Sequence, residues 1–221
     1  RGDRVVLVSA TLGEHGTSDP ATWPPDRLAA RRRRELAASL AELGVHEHQV
    51  LGYEDGTCHT VDGTPMIAYH LAEIQPDVIV TFGPDGMTGH LDHRAVSAWT
   101  TEAWRASDSR AELWYATVTP RFHAEWRTVN DEIGLWSDQP EPPSTDDSEL
   151  CHAIELTDAQ LDSKMAALAA HGSQTVPLLE LMGAAAYRRW WATESFRAAA
   201  REPAFDEQQS ADAFSAWPAL R

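Results

Sequence analysis

Apolar residues in the first half of the chain fall in short runs, each followed by glycine and polar residues and then by a stretch with helical spacing. Val5-Val-Leu-Val-Ser9 is such a run and predicts a buried parallel strand. Thr11-Leu-Gly-Glu-His-Gly16 forms the loop at its carboxyl end, closed by Trp23-Pro-Pro-Asp26, with Asp26 as a candidate N-cap. Leu28, Leu36, Leu40 and Leu43 recur on one helical face and predict a helix over 27–43 that stops at Gly44. Further runs predict strands over 48–51, 78–82 and 112–119 and helices over 66–74 and 90–105. Strand, loop and helix alternate, which implies right-handed crossovers and a mostly parallel sheet of the α/β class.

The second half is less regular. Residues 130–150 are acidic and rich in proline, as in Gln139-Pro-Glu-Pro-Pro143, and predict a surface loop or lid. A strand is expected over 152–156, then a helix over 161–171 capped by Thr157 or Asp158, with Leu161, Met165 and Leu168 facing in. A last helix over 178–191 ends in an aromatic cluster, and 203–221 reads as a mobile tail. No internal repeat is present, so 1–221 reads as a single domain.

Composition removes several function classes. With 34 acidic against 18 basic residues the net charge is -16, unsuited to nucleic acid or an anionic membrane surface. Cys58 and Cys151 are too few for a disulfide framework, which fits a reducing cytoplasm. No apolar run approaches the ~20 residues of a membrane span. The adjacent Arg31 to Arg34 fan around a helix, so most are solvated and one or two are left to face a ligand. Whether the chain forms a homo-oligomer stays open.

The chemistry concentrates in Thr81-Phe-Gly-Pro-Asp-Gly-Met-Thr-Gly-His-Leu-Asp-His93. Its glycines permit a tight turn and close approach of a ligand. His90 and His93, three apart on a helix, share a face. On spacing alone two readings stand: a metal or catalytic pair at the carboxyl edge of a sheet, or histidines that bond locally to the backbone of a helix start. The stretch is neither a phosphate loop nor a dinucleotide fingerprint. No Gly-x-Ser-x-Gly elbow or His-Glu-x-x-His helix occurs elsewhere.

This stretch resembles the Gly-His-Pro-Asp-His segment of the LmbE-like, or PIG-L, de-N-acetylases. Val8 to Gly16 is similar to that family's strand and Thr-x-Gly-Glu loop, and Arg32-Arg-Arg-Glu-Leu36 to its Arg-x-x-Glu-Leu helix. Leu51-Gly-Tyr-Glu-Asp-Gly56, Ala170-His-Gly-Ser-Gln174 and Thr193-Glu-Ser-Phe196 follow in matching order. The resemblance implies a Rossmann-like three-layer fold and a zinc- or other divalent-metal-dependent hydrolase. Its reaction would remove the acetyl group from an N-acetylglucosamine-containing small molecule. It further implies His93 as a metal ligand, His90 as the group that stabilises the oxyanion, in protonated form, and Asp92 as support for the imidazoles. Arg32 and Asp55 fall at substrate-contacting positions.

Two departures stand out. Leu91 replaces the family's proline. The family's first motif, Ala-His-Pro-Asp-Asp-Glu, which supplies two ligands and the general base, has no counterpart here. The chain opens Arg1-Gly2-Asp3 without a methionine and runs into a strand, so it reads as lacking a first strand and helix and as inactive alone. Alternatives are an inactive sugar-binding relative, an amidase of a glucosaminyl thiol conjugate, and a nucleotide binder. His171 reads as a helix cap or a cleft residue, and Trp190-Trp191 as core or, less readily, a sugar-stacking wall.

Overall fold

A computed structural model describes residues 2–134 and 144–201. The tail over 203–221 and the stretch 135–143 of the acidic loop lie outside the described residues. Six strands and seven α-helices follow in the order β1 (Val6–Ser9), α1 (Pro25–Glu42), β2 (Glu47–Val50), α2 (Thr64–Ile74), β3 (Val78–Phe82), α3 (Leu91–Ala106), β4 (Glu112–Thr117), α4 (Pro120–Glu132), β5 (His152–Glu155), α5 (Asp158–Ala170), α6 (Gly172–Met182), α7 (Ala184–Trp190) and β6 (Thr193–Ala198).

The fold is mixed α/β, but the expectation of a mostly parallel sheet is corrected. β1 and β2 form a parallel pair, with Val6 opposite Glu47 and Ser9 opposite Val50. The other four strands run in the order β3-β4-β6-β5. β3 and β4 are parallel, whereas β6 is antiparallel to both β4 and β5. The reason lies in β6, whose Thr-Glu-Ser-Phe-Arg-Ala text has no apolar run to mark it as a strand. It follows three helices and enters between β4 and β5, where Phe196 packs against Trp114 with ring centroids 6.2 Å apart.

Helix α1 shows why apolar spacing overstates a core. Leu28 and Leu40 are buried, but Leu43 is exposed and the buried positions between Leu28 and Leu40 belong to Arg32 and Ser39. The helix starts two residues earlier than expected, with Pro24 at the N-cap and Asp26 in the first turn, a favourable place for a carboxylate. Helix α4, absent from the sequence-based expectation, is capped by Thr119 accepting from the Phe122 amide. The expected single helix over 178–191 is two, α6 and α7, broken at Gly183.

Two apolar clusters sit under the sheet edges. Cys58, Ile67, Ala95, Trp99 and Ala103 join α2 to α3, and Trp104, Ala111, Leu113 and Tyr115 anchor α3 to β4. Burial pushes the Cys58 thiol up to about 12, which makes it a packing group rather than a nucleophile. Gly63 lies flat against the buried indole of Trp99, and an added Cβ would overlap that ring. Gly63→Ala is therefore expected to destabilise the fold by about 1–3 kcal/mol, read as a lower denaturant midpoint at constant slope. An unchanged midpoint would show that the indole can step aside.

The run Val78-Ile-Val80 packs inward on one face only. Ile79 packs on the second cluster, while Val80 is 55% exposed. Among the described residues no strand pairs with the second edge of β1 or of β3.

Candidate active site

The carboxyl ends of β1 and β3 open onto one cavity of about 510 Å³, lined by Thr11, Gly13, Gly16, Arg32, Asp55, His90, His93, Ser173 and Gln174. This is where an α/β sheet collects ligand-binding loops. All four histidine, arginine and aspartate positions expected to contact metal or substrate, His90, His93, Arg32 and Asp55, therefore share one space.

The two histidines are held differently. His90 is the N-cap of α3, and its Nδ1 accepts from the Asp92 amide at 3.2 Å. An accepting Nδ1 carries no proton, so the neutral ring bears its hydrogen on Nε2. His93 lies one turn on, its ring stacked on Phe82 at 4.0 Å between centroids and 3° between planes. Its Nδ1 sits 3.1 Å from the Gly86 carbonyl and 3.2 Å from the Thr88 hydroxyl. A carbonyl only accepts, so Nδ1 donates and the lone pair falls on Nε2. Burial lowers the His93 pKa, outweighing the hydrogen bond to Gly86, and favours the neutral ring. The ring centroids of His90 and His93 are 5.0 Å apart.

The turn that presents Gly86 needs unusual backbone. Gly86 has φ 73° and Met87 φ 62°, and a Cβ on Gly86 would press on Arg94 and the His90 carbonyl. Asp85 steadies the turn, its Oδ1 accepting from the Met87 amide at 2.6 Å.

The Asp92 carboxylate makes no hydrogen bond to the imidazole of His90 or His93. Its Oδ2 accepts from the Gly56 amide at 2.7 Å and its Oδ1 from the Cys58 amide at 3.0 Å. The carboxylate is buried and ties α3 to the loop that carries Asp55. Asp55 in turn accepts from the His15 amide at 3.0 Å and the Thr11 hydroxyl at 3.4 Å.

Arg32 is the member of the arginine run that faces the cavity. Its guanidinium donates to the carbonyls of Gly13 and, at 2.7 Å, Gly16. Arg31 pairs with Glu35 and Arg34 bonds the Ala30 carbonyl, both along the helix. Glu35 also accepts from the Ser173 amide at 3.0 Å and the Ser173 hydroxyl. Burial opposes its ionisation, but the hydrogen bonds from Ser173 and Arg31 hold its pKa below the usual range.

Thr11, Ser173 and Gln174 also line the cavity, roles not assigned from the sequence. Ser173 and Gln174 stood within the Ala170 to Gln174 string, but no spacing rule singled them out. His171 caps only with its backbone, between α5 and α6, and its side chain makes no cap bond. Trp190 packs on Trp191 and donates to Asn130 at 3.1 Å, away from the cavity lining. His15 stands 3.4 Å from Glu54 rather than beside His93.

The molecule thus sets a histidine pair in a polar cavity at the carboxyl ends of strands of a mixed α/β fold. A solved structure, the N,N'-diacetylchitobiose deacetylase from Pyrococcus horikoshii, shares the fold with a TM-score of 0.60 and 22% identity, over 90% of this chain and 74% of that one. A 1D-myo-inositol 2-acetamido-2-deoxy-alpha-D-glucopyranoside deacetylase of Mycolicibacterium vanbaalenii is 33% identical over 211 residues, covering 79% of this chain and 72% of the relative. The corresponding deacetylase of Actinosynnema mirum is 32% identical over 216 residues, covering 84% and 76%. Residues 1–104 match the family described as PIG-L, GlcNAc-PI de-N-acetylase. The chain belongs to the PIG-L family. Removing an N-acetyl group hydrolyses an amide, so it is a member of a family of amide hydrolases.

Proposed function

We propose that the chain carries half of a metal-dependent site that removes an acetyl group from a small N-acetylglucosamine-containing substrate. The observation that carries this is the complementary tautomer pair: His93 offers an Nε2 lone pair and His90 an Nε2 hydrogen in the same cavity.

His93 fits a metal ligand. Its other nitrogen donates to a backbone carbonyl, the second contact that commonly orients a metal-bound imidazole. Among the described residues, however, no group of three histidine, cysteine, aspartate or glutamate side chains stands together. The donor set fits one ligand position and not a complete site. When bound, zinc or another divalent ion would supply Lewis acidity and lower the pKa of water toward about 7.

His90, neutral and capped, donates from Nε2 to the amide oxygen as negative charge develops there. This replaces the expected protonated form, since a proton on Nδ1 would break the cap to the Asp92 amide. Arg32 and Asp55 border the same cavity and offer a donor and an acceptor to sugar hydroxyls. The remaining ligands are proposed to come from a strand lying between β1 and β3. Support comes from the edges of both strands, unpaired among the described residues, the convergence of their loops on one cavity, and the exposed Val78 and Val80.

The chain as it stands is expected to hold zinc at well below one equivalent after desalting, measured by elemental analysis. A stoichiometric, tightly held ion would mean that other residues complete the site. The functional test is metal-dependent release of acetate from an N-acetylglucosaminyl conjugate by a polypeptide with a complete ligand set. Substrate binding without release would favour the sugar-binding relative.

A further inference from the structure

His93 Nδ1 lies between two neighbours of opposite capability. The Gly86 carbonyl, 3.1 Å away, only accepts, whereas the Thr88 hydroxyl, 3.2 Å away, accepts or donates. Against the carbonyl, a neutral ring keeps its hydrogen on Nδ1 and its lone pair on Nε2. Against the hydroxyl alone, Nδ1 can accept instead, which moves the hydrogen to Nε2 and removes the lone pair there. The position of one backbone carbonyl therefore selects the tautomer.

That carbonyl belongs to a turn with a strained residue. Met87 has φ 62°, a left-handed conformation that a side chain disfavours. The Gly86 amide donates to the Gly83 carbonyl at 2.8 Å, and the Thr88 amide to the Gly86 carbonyl at 2.7 Å. Asp85 closes the turn from its side chain: Oδ1 accepts from the Met87 amide, two residues on, at 2.6 Å, an Asx turn. Its Oδ2 faces Arg197 of β6, 3.9 Å from Nη2, so the guanidinium attracts the second oxygen and leaves Oδ1 on the amide. Gly83 makes room for this arrangement, because a Cβ there would come within 2.7 Å of Asp85 Oδ2.

We propose that Asp85 is a positioning residue for His93: by fixing the Gly86 carbonyl against Nδ1, it keeps the lone pair on Nε2. Strand β6, which breaks the parallel sheet, contributes through Arg197. Use of that lone pair for a metal rests on the deacetylase reading; the choice of tautomer does not.

The test is ¹⁵N resonance of the histidine ring nitrogens in the metal-free 221-residue chain, followed by titration with zinc. The unsubstituted chain is expected to carry the His93 hydrogen on Nδ1. Asp85→Ala is expected to make the Nε2–H form the major one, and to raise the zinc concentration that half-shifts the His93 signal about tenfold. Asp85→Asn retains an accepting Oδ1 and is expected to restore both. Thr88→Val is expected to leave the hydrogen on Nδ1, because the carbonyl suffices. Where Asp85→Ala fails to fold, Gly83→Ala serves, its Cβ displacing the carboxylate, with the same shift expected. A hydrogen that stays on Nδ1 in the folded variant would overturn the proposal, as would failure of Asp85→Asn to restore the tautomer or a switch caused by Thr88→Val. If the tautomer responds as expected but zinc leaves Nε2 of His93 unmoved in the unsubstituted chain, the metal-ligand reading falls and the positioning role stands.

Discussion

Replacing His90 with alanine is expected to lower kcat by on the order of 10²–10³ without loss of metal, whereas replacing His93 is expected to release the metal. The contrast follows from the two tautomers. Nε2 of His90, which carries hydrogen, is proposed to meet an oxyanion; Nε2 of His93, which carries a lone pair, is proposed to meet a cation. Steady-state kinetics and metal content of a polypeptide with all its ligands provide the comparison. The present chain offers an independent readout. In a zinc titration followed by ¹⁵N resonances, Nε2 of His93 should respond first, while Nδ1 of His90 should keep the signature of an accepting nitrogen. Equal loss of metal in both variants would show that His90 is itself a ligand.

Substituting Asp92 by alanine is expected to cost about 2–4 kcal/mol of folding stability. Its carboxylate satisfies the amides of Gly56 and Cys58, and each would be left without its charged acceptor. Cys58 is fully buried, so its amide cannot turn to water instead. Asp92→Asn keeps one accepting oxygen and should lose roughly half as much. Chemical denaturation measures both, and a loss below about 0.5 kcal/mol for the alanine variant would remove Asp92 from the framework. Activity should fall as well, because the same loop carries Asp55.

Much of the site was legible from residue order. Strand β3 has the expected limits, and four of the positions marked out by the family resemblance, His90, His93, Arg32 and Asp55, line one cavity. Arg32 could not be separated from Arg31, Arg33 and Arg34 by spacing, because which arginine turns inward depends on where the Gly13 and Gly16 carbonyls lie. Asp92 was read as a partner of the imidazoles beside it, but its bonds reach 34 and 36 residues back along the chain. Strand β6 escaped notice for a related reason. Its pairing with β4 is a tertiary contact, and a six-residue polar text carries no period strong enough to announce it. The parallel-sheet expectation failed with it.

The clasp between Glu35 and Ser173 joins residues 138 apart. Closing so long a segment costs chain entropy that local helices do not. The wall of the cavity formed by α6 should therefore assemble late, after the Trp99 cluster, whose members lie closer in sequence. A chain cut before Gly172 would keep that cluster and its helices, yet lose the side of the cavity that Ser173 and Gln174 supply. Ligand binding and protection of the α6 amides from hydrogen exchange should then rise and fall together, with the tail end of the chain acting as the timer for the front.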